Sequence, residues 1–239
     1  MAARPILEAY GVTMRFEGVT ALENVDFQLG ARELRCLIGP NGAGKSTFFK
    51  CVTGLHVPTE GQVHILGHET TGMPPHWIAG LGVGIKTQVP SVMQELTARE
   101  NIWLAARRRN PARVANRIAA DTLDRLELGD IADATLATLA HGKRQLVEFG
   151  IVLAGQPKLI LLDEPAAGLT ADEVERAIGI IREMNETAAM VIVEHDMHFV
   201  RAIADTITVF HRGRVLMEAH VDTVMNDPTV RDVYLGKQQ

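Results

Sequence analysis

The sequence predicts an α/β protein built on a parallel sheet with right-handed crossovers, and three observations predict it. Short, nearly continuous apolar runs recur at Leu159–Leu162, Met190–Val193 and Thr206–Phe210. Between the first two, Ala171–Thr187 places Val174, Ile178, Ile181 and Met184 on one helical stripe. A further run, Glu33–Ile38, ends in a glycine-rich turn at Gly39–Gly44. Strands alternating with helices in this way indicate parallel pairing.

Taken in order along the chain, Val25, Phe27 and Leu29 recur every second residue, the pattern of a half-buried strand. After the Glu33–Ile38 strand and its turn, Ser46–Thr53 forms a helix. From about Leu96 to Ala154 the pattern is helical, rich in Ala and Arg and without strand-like runs, and reads as a helical subdomain inserted into the sheet domain. Its arginines (Arg99, Arg107, Arg108, Arg109, Arg113 and Arg117) suit a solvated helix face or a surface turned to a membrane or an acidic partner. The chain shows no internal repeat and no low-complexity tract.

Bulk properties narrow the function. At 239 residues, 46% apolar and 22% charged, the chain is long enough to bury one substantial core. A net charge of −5 argues against nucleic acid as the main partner. The apolar runs are of strand length, far short of a membrane span, and no basic region leads into an apolar stretch to mark secretion. Cys36 and Cys51 lack metal-ligand spacing and read as buried, inert thiols of a reduced cytosolic compartment.

Gly39-Pro40-Asn41-Gly42-Ala43-Gly44-Lys45-Ser46 matches GxxxxGK[ST]. The backbone there must curl until successive N–H groups converge on phosphate oxygens, which glycine permits. The helix that follows presents its positive end to the same phosphates. Lys45 adds a charge toward the β and γ phosphates, and the Ser46 hydroxyl is a Mg²⁺ ligand. Average residue frequencies yield such a match in roughly one chain in a hundred of this size, and the strand-before, helix-after context lowers the odds further. The expectation is nucleoside triphosphate binding. Leu159–Leu162 then ends in Asp163-Glu164, two carboxylates at the tip of an apolar strand. Asp163 is placed to hold Mg²⁺ through water, and Glu164 to polarise the water that attacks the γ-phosphate.

On these motifs the chain resembles the ATPases of ABC transporters over nearly its whole length. The resemblance implies a P-loop core of mixed sheet and helices with an N-terminal antiparallel β subdomain. It makes residues 1–239 one nucleotide-binding domain, with the helical subdomain at 91–155. Gln88, in Lys86-Thr87-Gln88, falls on the family's Q-loop glutamine, which touches Mg²⁺ and couples to membrane subunits. His195, in Val193-Glu194-His195-Asp196, matches the switch histidine that hydrogen-bonds the γ-phosphate. Thr47 joins the phosphate-binding residues. Phe16 falls where the family stacks an aromatic on adenine, with Tyr10 as the alternative. Ala166-Ala167-Gly168-Leu169-Thr170 occupies the D-loop, which crosses the dimer interface.

Leu139-Ala140-His141-Gly142-Lys143-Arg144-Gln145 sits where the family carries its LSGGQ signature, which binds the nucleotide of the opposite subunit. Ala140 replaces the serine and His141 a glycine; Gly142 remains. The stretches Glu33–Gly39, Lys86–Ile102 and Tyr234-Leu235-Gly236 resemble the hydrophobic-amino-acid uptake family, closest to urea-type importers. Such a likeness implies ATP and Mg²⁺ as cofactors. It implies as partners a second ATPase subunit (a hetero- or homodimer), membrane permease subunits and, indirectly, a periplasmic or extracellular substrate-binding protein. It places the chain at the cytoplasmic face of a bacterial inner membrane, powering uptake of urea, short-chain amides or branched-chain amino acids. The competing expectations are a soluble ABC ATPase acting on ribosomes or DNA, and a lipopolysaccharide-export ATPase.

Overall fold

Residues 4–87 and 92–235 are described by the computed structural model of the chain. Strands β1 (Leu7–Phe16) and β2 (Val19–Leu29) form a hairpin across Glu17–Gly18, both at positive φ, the backbone that matches strand twist in tight hairpins. Next come β3 (Leu34–Ile38), α1 (Lys45–Val52), β4 (Glu60–Ile65), the two-residue β5 (His68–Glu69), α2 (Pro75–Gly80) and β6 (Val83–Lys86). Helices α3 (Ala98–Arg107), α4 (Ala112–Arg125) and α5 (His141–Ala154) lead to β7 (Leu159–Asp163), α6 (Ala171–Asn185) and β8 (Ala189–Val193). The chain closes with α7 (Met197–Ile203), β9 (Thr206–His211), β10 (Arg214–His220), α8 (Val221–Asn226) and α9 (Pro228–Leu235).

Two sheets result. The first is antiparallel, in the order β2-β1-β4-β5; the second runs β10-β9-β3-β8-β7-β6. In the second, β9, β3, β8, β7 and β6 are mutually parallel, and β10 pairs antiparallel with β9. The alternation of apolar runs and helices therefore anticipated the parallel strands but not this edge. β10 alternates exposed and half-buried residues, as a strand with one solvated face should.

The central strands read as continuous apolar runs because both faces are buried. Leu34, Cys36, Ile38, Ile160, Leu162, Met190 and Ile192 enter one core with α3 to α7. Leu37, Leu159, Leu161, Val191 and Val193 enter another, with α1 and the antiparallel sheet. Val25, Phe27 and Leu29 are buried, as their period-2 spacing predicts, and so are Ile178, Ile181 and Met184 of α6. Burial pushes both thiols up, that of Cys51 to about 11. No helix of the described residues is long and apolar enough to cross a membrane.

The arginine-rich segment is largely engaged within the chain. Arg99 pairs with Asp133, and Arg107 donates to Asn110 O. Arg108 donates to His76 O at 3.0 Å and Arg109 to Gly80 O at 2.6 Å, stapling the end of α3 to α2. Arg113 and Arg117 remain on the solvated face of α4.

Candidate functional site

The C-terminal ends of β3, β8 and β7 lie side by side, since β8 is hydrogen-bonded between the other two. Each strand delivers one piece of sequence chemistry to that edge: the phosphate loop after β3, Asp163-Glu164 at the end of β7, and Glu194-His195 after β8. The carboxyl edge of a parallel sheet is where open α/β folds bind ligands.

The loop Gly39–Gly44 is shaped by backbone packing. A Cβ on Gly39 (φ +147°) would lie 2.2 Å from Phe210 O, and one on Gly44 (φ +108°) would lie 2.9 Å from Ala21 O. Gly213 N donates to Ala43 O at 2.9 Å, so β2, β9 and the β9–β10 turn cradle the loop. Asn41 and Gly42 are exposed at its crest and Pro40 is half-buried. Lys45, Ser46 and Thr47 open α1. Lys45 is largely buried and donates to Gly39 O at 2.6 Å and Pro40 O at 3.0 Å. Its desolvation lowers the ammonium pKa, opposed by the charges of Glu164 and Asp163.

Asp163 is 6% exposed, and burial followed by the charge of Glu164 pushes its carboxyl above the usual range against Lys50, Lys86 and Lys45. A buried carboxylate beside a second carboxylate gains from added positive charge, and the three lysines supply part of it. Asp163 and Ser46 line the same cavity, about 680 Å³, whose apolar wall includes Phe49, Val83 and Val152. Among the described residues no group of three or more His, Cys, Asp or Glu would hold a metal unaided. A cation held by one hydroxyl, one carboxylate and phosphate oxygens fits this set.

Glu164 sits at φ +48°, the left-handed region that non-glycine residues seldom occupy. Its N–H is tied to Val193 O at 2.9 Å, which holds the strained turn against the neighbouring strand. His195 Nδ1 lies 3.7 Å from Glu164 Oε1 and 3.6 Å from Glu194 Oε2. Glu194, a residue to which the sequence assigned no task, is 1% exposed. Its carboxylate accepts from His195 N at 3.0 Å and from the Ala166 backbone. Burial raises its pKa against those bonds. The signal in sequence was parity: after Val193 faces the second core, Glu194 must turn back into the protein.

The signature-like segment forms the start of α5, with Ala140 as its N-cap and no side-chain capping bond. His141 is exposed, with Nε2 3.1 Å from Ala167 O. A Cβ on Gly142 would fall 1.8 Å from the Glu173 carboxylate, which is held by the Thr170–Glu173 capping box at the start of α6. Sequence reasoning gave no separate task to Gln145, the last residue of that segment, and missed the buried Lys86–Glu148 ion pair (3.1 Å) that joins β6 to α5.

Phe16 ends β1, edge-on to His56 at 5.3 Å. Across the hairpin, the Ala21–Leu22 segment of β2 is the one that abuts Gly44, and Met14 and Phe16 pair beside it with Leu22 and Val19. Tyr10 lies further back, paired with Gln62 and edge-on to His64. Gln88 lies outside the described residues.

Residues 22–167 match the family model described as ABC transporter. The high-affinity branched-chain amino acid transport ATP-binding protein BraF of Pseudomonas aeruginosa is 34% identical, over 98% of this chain and 99% of its own length. The corresponding protein LivG of Escherichia coli is 33% identical over the same shares. An ATP-binding cassette of an ABC transporter in its ADP conformation superimposes with a TM-score of 0.86 at 25% identity, covering 98% of this chain and all of the other. A dimeric cassette in a post-hydrolysis state bound to ADP and Pi gives 0.81 at 25% identity, over 90% and 98%. The phosphate loop, the paired carboxylates and the strand order between them thus come together in a chain that belongs to the ABC transporter family of ATP-binding subunits.

Proposed function

We propose that this chain is the ATP-hydrolysing subunit of a solute importer and that its site residues act as follows. Gly39, Pro40, Asn41, Gly42, Ala43 and Gly44 wrap the phosphates with backbone N–H groups, and Ser46 and Thr47 extend the contact into α1. Lys45 exchanges its bonds to Gly39 O and Pro40 O for the β and γ phosphates. Ser46, Asp163 and Gln88 would hold Mg²⁺, which when bound neutralises phosphate charge. Glu164 takes the proton of the attacking water, and His195, steadied between Glu164 and Glu194, hydrogen-bonds the γ-phosphate. Phe16 is preferred to Tyr10 as the adenine platform because its end of the hairpin is the one beside the phosphate loop. The observation that carries this reading is the meeting of β3, β8 and β7 at one sheet edge.

A second cassette completes the site, the backbone of its Ala140, His141 and Gly142 presenting the N-terminus of α5 to the γ-phosphate. The helical subdomain is assigned to residues 91–155. The cavity beside Ser46 and Asp163, lined by exposed Leu55 and by Pro75 and His76 at the start of α2, is where a permease segment would press on the nucleotide site. That docking would hold the chain at the cytoplasmic face of the inner membrane. Branched-chain amino acids are the favoured cargo, on the strength of the relatives' names; the stretch Lys86–Ile102 supports urea-type solutes as the second reading.

The test is Glu164→Gln. The variant should bind a fluorescent ATP analogue as the native chain does and hydrolyse ATP about 100-fold more slowly or worse. Near-native turnover, measured with the permease present, removes Glu164 from the role of base.

A further inference from the structure

We propose that His141 is a positioning residue: with Gln145 it holds the Ala166–Leu169 turn, and through it Glu164, from the signature segment of the same chain. The inference rests on the ATPase reading above and adds to it. His141 Nε2 is 3.1 Å from Ala167 O, and Gln145 Nε2 donates to the same oxygen at 3.4 Å. The two residues are four apart on α5, so they project from one face of the helix. A carbonyl only accepts, which places a proton on Nε2. The neutral tautomer and the imidazolium both satisfy that need, so the contact does not depend on the charge of the ring.

The ring also fills space. A Cβ on Gly168, at φ +74°, would lie 3.0 Å from His141 Nε2 and 3.2 Å from Cδ2. On its other side the turn is held by Glu194, which accepts from the Ala166 backbone and from His195 N. Ala167 N in turn donates to Glu164 O at 3.2 Å. A chain of short contacts therefore runs from the first turn of α5, through Ala167, to the backbone of Glu164 and the segment bearing His195. Any displacement of α5 as a second cassette closes on it is passed to the proposed base. With glycine at 141, Ala167 O would keep Gln145 alone, and the turn would lose the ring that covers Gly168.

The test uses the full-length chain without nucleotide, and then the assembled transporter. In the free chain His141→Ala should speed amide exchange across Ala166–Leu169 by about threefold or more. His141→Gln, whose amide N–H reaches the position of Nε2, should restore it, and His141→Phe should not. In the complex His141→Ala should lower kcat about fivefold and leave KM for ATP within about twofold. Unchanged exchange in His141→Ala, restoration by Phe, or a rise in KM at constant kcat each overturns the proposal; the last would make His141 a nucleotide contact. Failure of the native chain to bind a fluorescent ATP analogue would instead overturn the ATPase reading, whatever the exchange result.

Discussion

The phosphate loop and the signature-like turn are both glycine-bearing helix N-termini, but they are held in different ways. Around Gly39 and Gly44 the obstructing atoms include backbone carbonyls of Phe210 in β9 and Ala21 in β2, fixed by strand pairing. Around Gly142 the obstructing group is a carboxylate at the end of a side chain, Glu173, and the neighbouring contact is the His141 ring on Ala167 O. The first turn is part of the sheet. The second is docked onto its surroundings by side chains that rotate, and it is the one whose motif departs from the family pattern.

The largest test of that contrast is the pair Gly39→Ala and Gly142→Ala. Alanine at 39 meets backbone and an unfavourable φ together, so the loop should collapse: ATP binding is lost and the chain is destabilised by about 3 kcal/mol or more. Alanine at 142 displaces Glu173 and breaks its capping box, a loss of about 1–2 kcal/mol, while ATP binding by the same chain persists. Urea unfolding and ATP-analogue titration read both. Equal damage from the two substitutions would erase the distinction.

Asp163→Asn sharpens the electrostatic side. Burial and Glu164 raise the Asp163 pKa, so its stabilising contribution is present below the ordinary carboxylate range and is lost as pH rises through the raised value. The nucleotide-free variant should then melt about 2–4 °C above the native chain at neutral pH. The gap should close as pH falls below about 4. With ATP and Mg²⁺ the order should reverse. Scanning calorimetry in both conditions decides it, and a native chain that is the more stable at neutral pH without nucleotide refutes it.

The smallest effect concerns Ala140, whose φ of −61° and ψ of 156° place it at the N-cap of α5. Ala140→Ser should gain a capping bond of about 1 kcal/mol, visible as a higher melting temperature even without ATP. Any gain in ATP-driven dimerisation must exceed that baseline before it is credited to a γ-phosphate contact. An unchanged melting temperature would mean that the α5 start has no room for the hydroxyl bond.

The legible parts of this molecule were those dictated by backbone. Leu159–Leu162, Met190–Val193 and Thr206–Phe210 could be placed because a strand buried on both faces must be apolar throughout, and the tight turn at Gly39–Gly44 because only glycine admits such close backbone packing. β10 escaped notice because its exposed Arg214, Glu218 and His220 dilute the apolar alternation. Glu194, Gln145 and the Lys86–Glu148 pair escaped because a buried polar side chain looks like a solvated one until its partner, distant in sequence, is known.

The insertion of β8 between β3 and β7 has a consequence for biosynthesis. Residues 189–193 of a 239-residue chain supply the strand that brings the phosphate loop and the carboxylates into register. A nascent chain that has emerged only through β7 holds every phosphate-loop residue and both acids, yet their strands have no common neighbour. The two halves of the site therefore come into register only when β8 has joined the sheet.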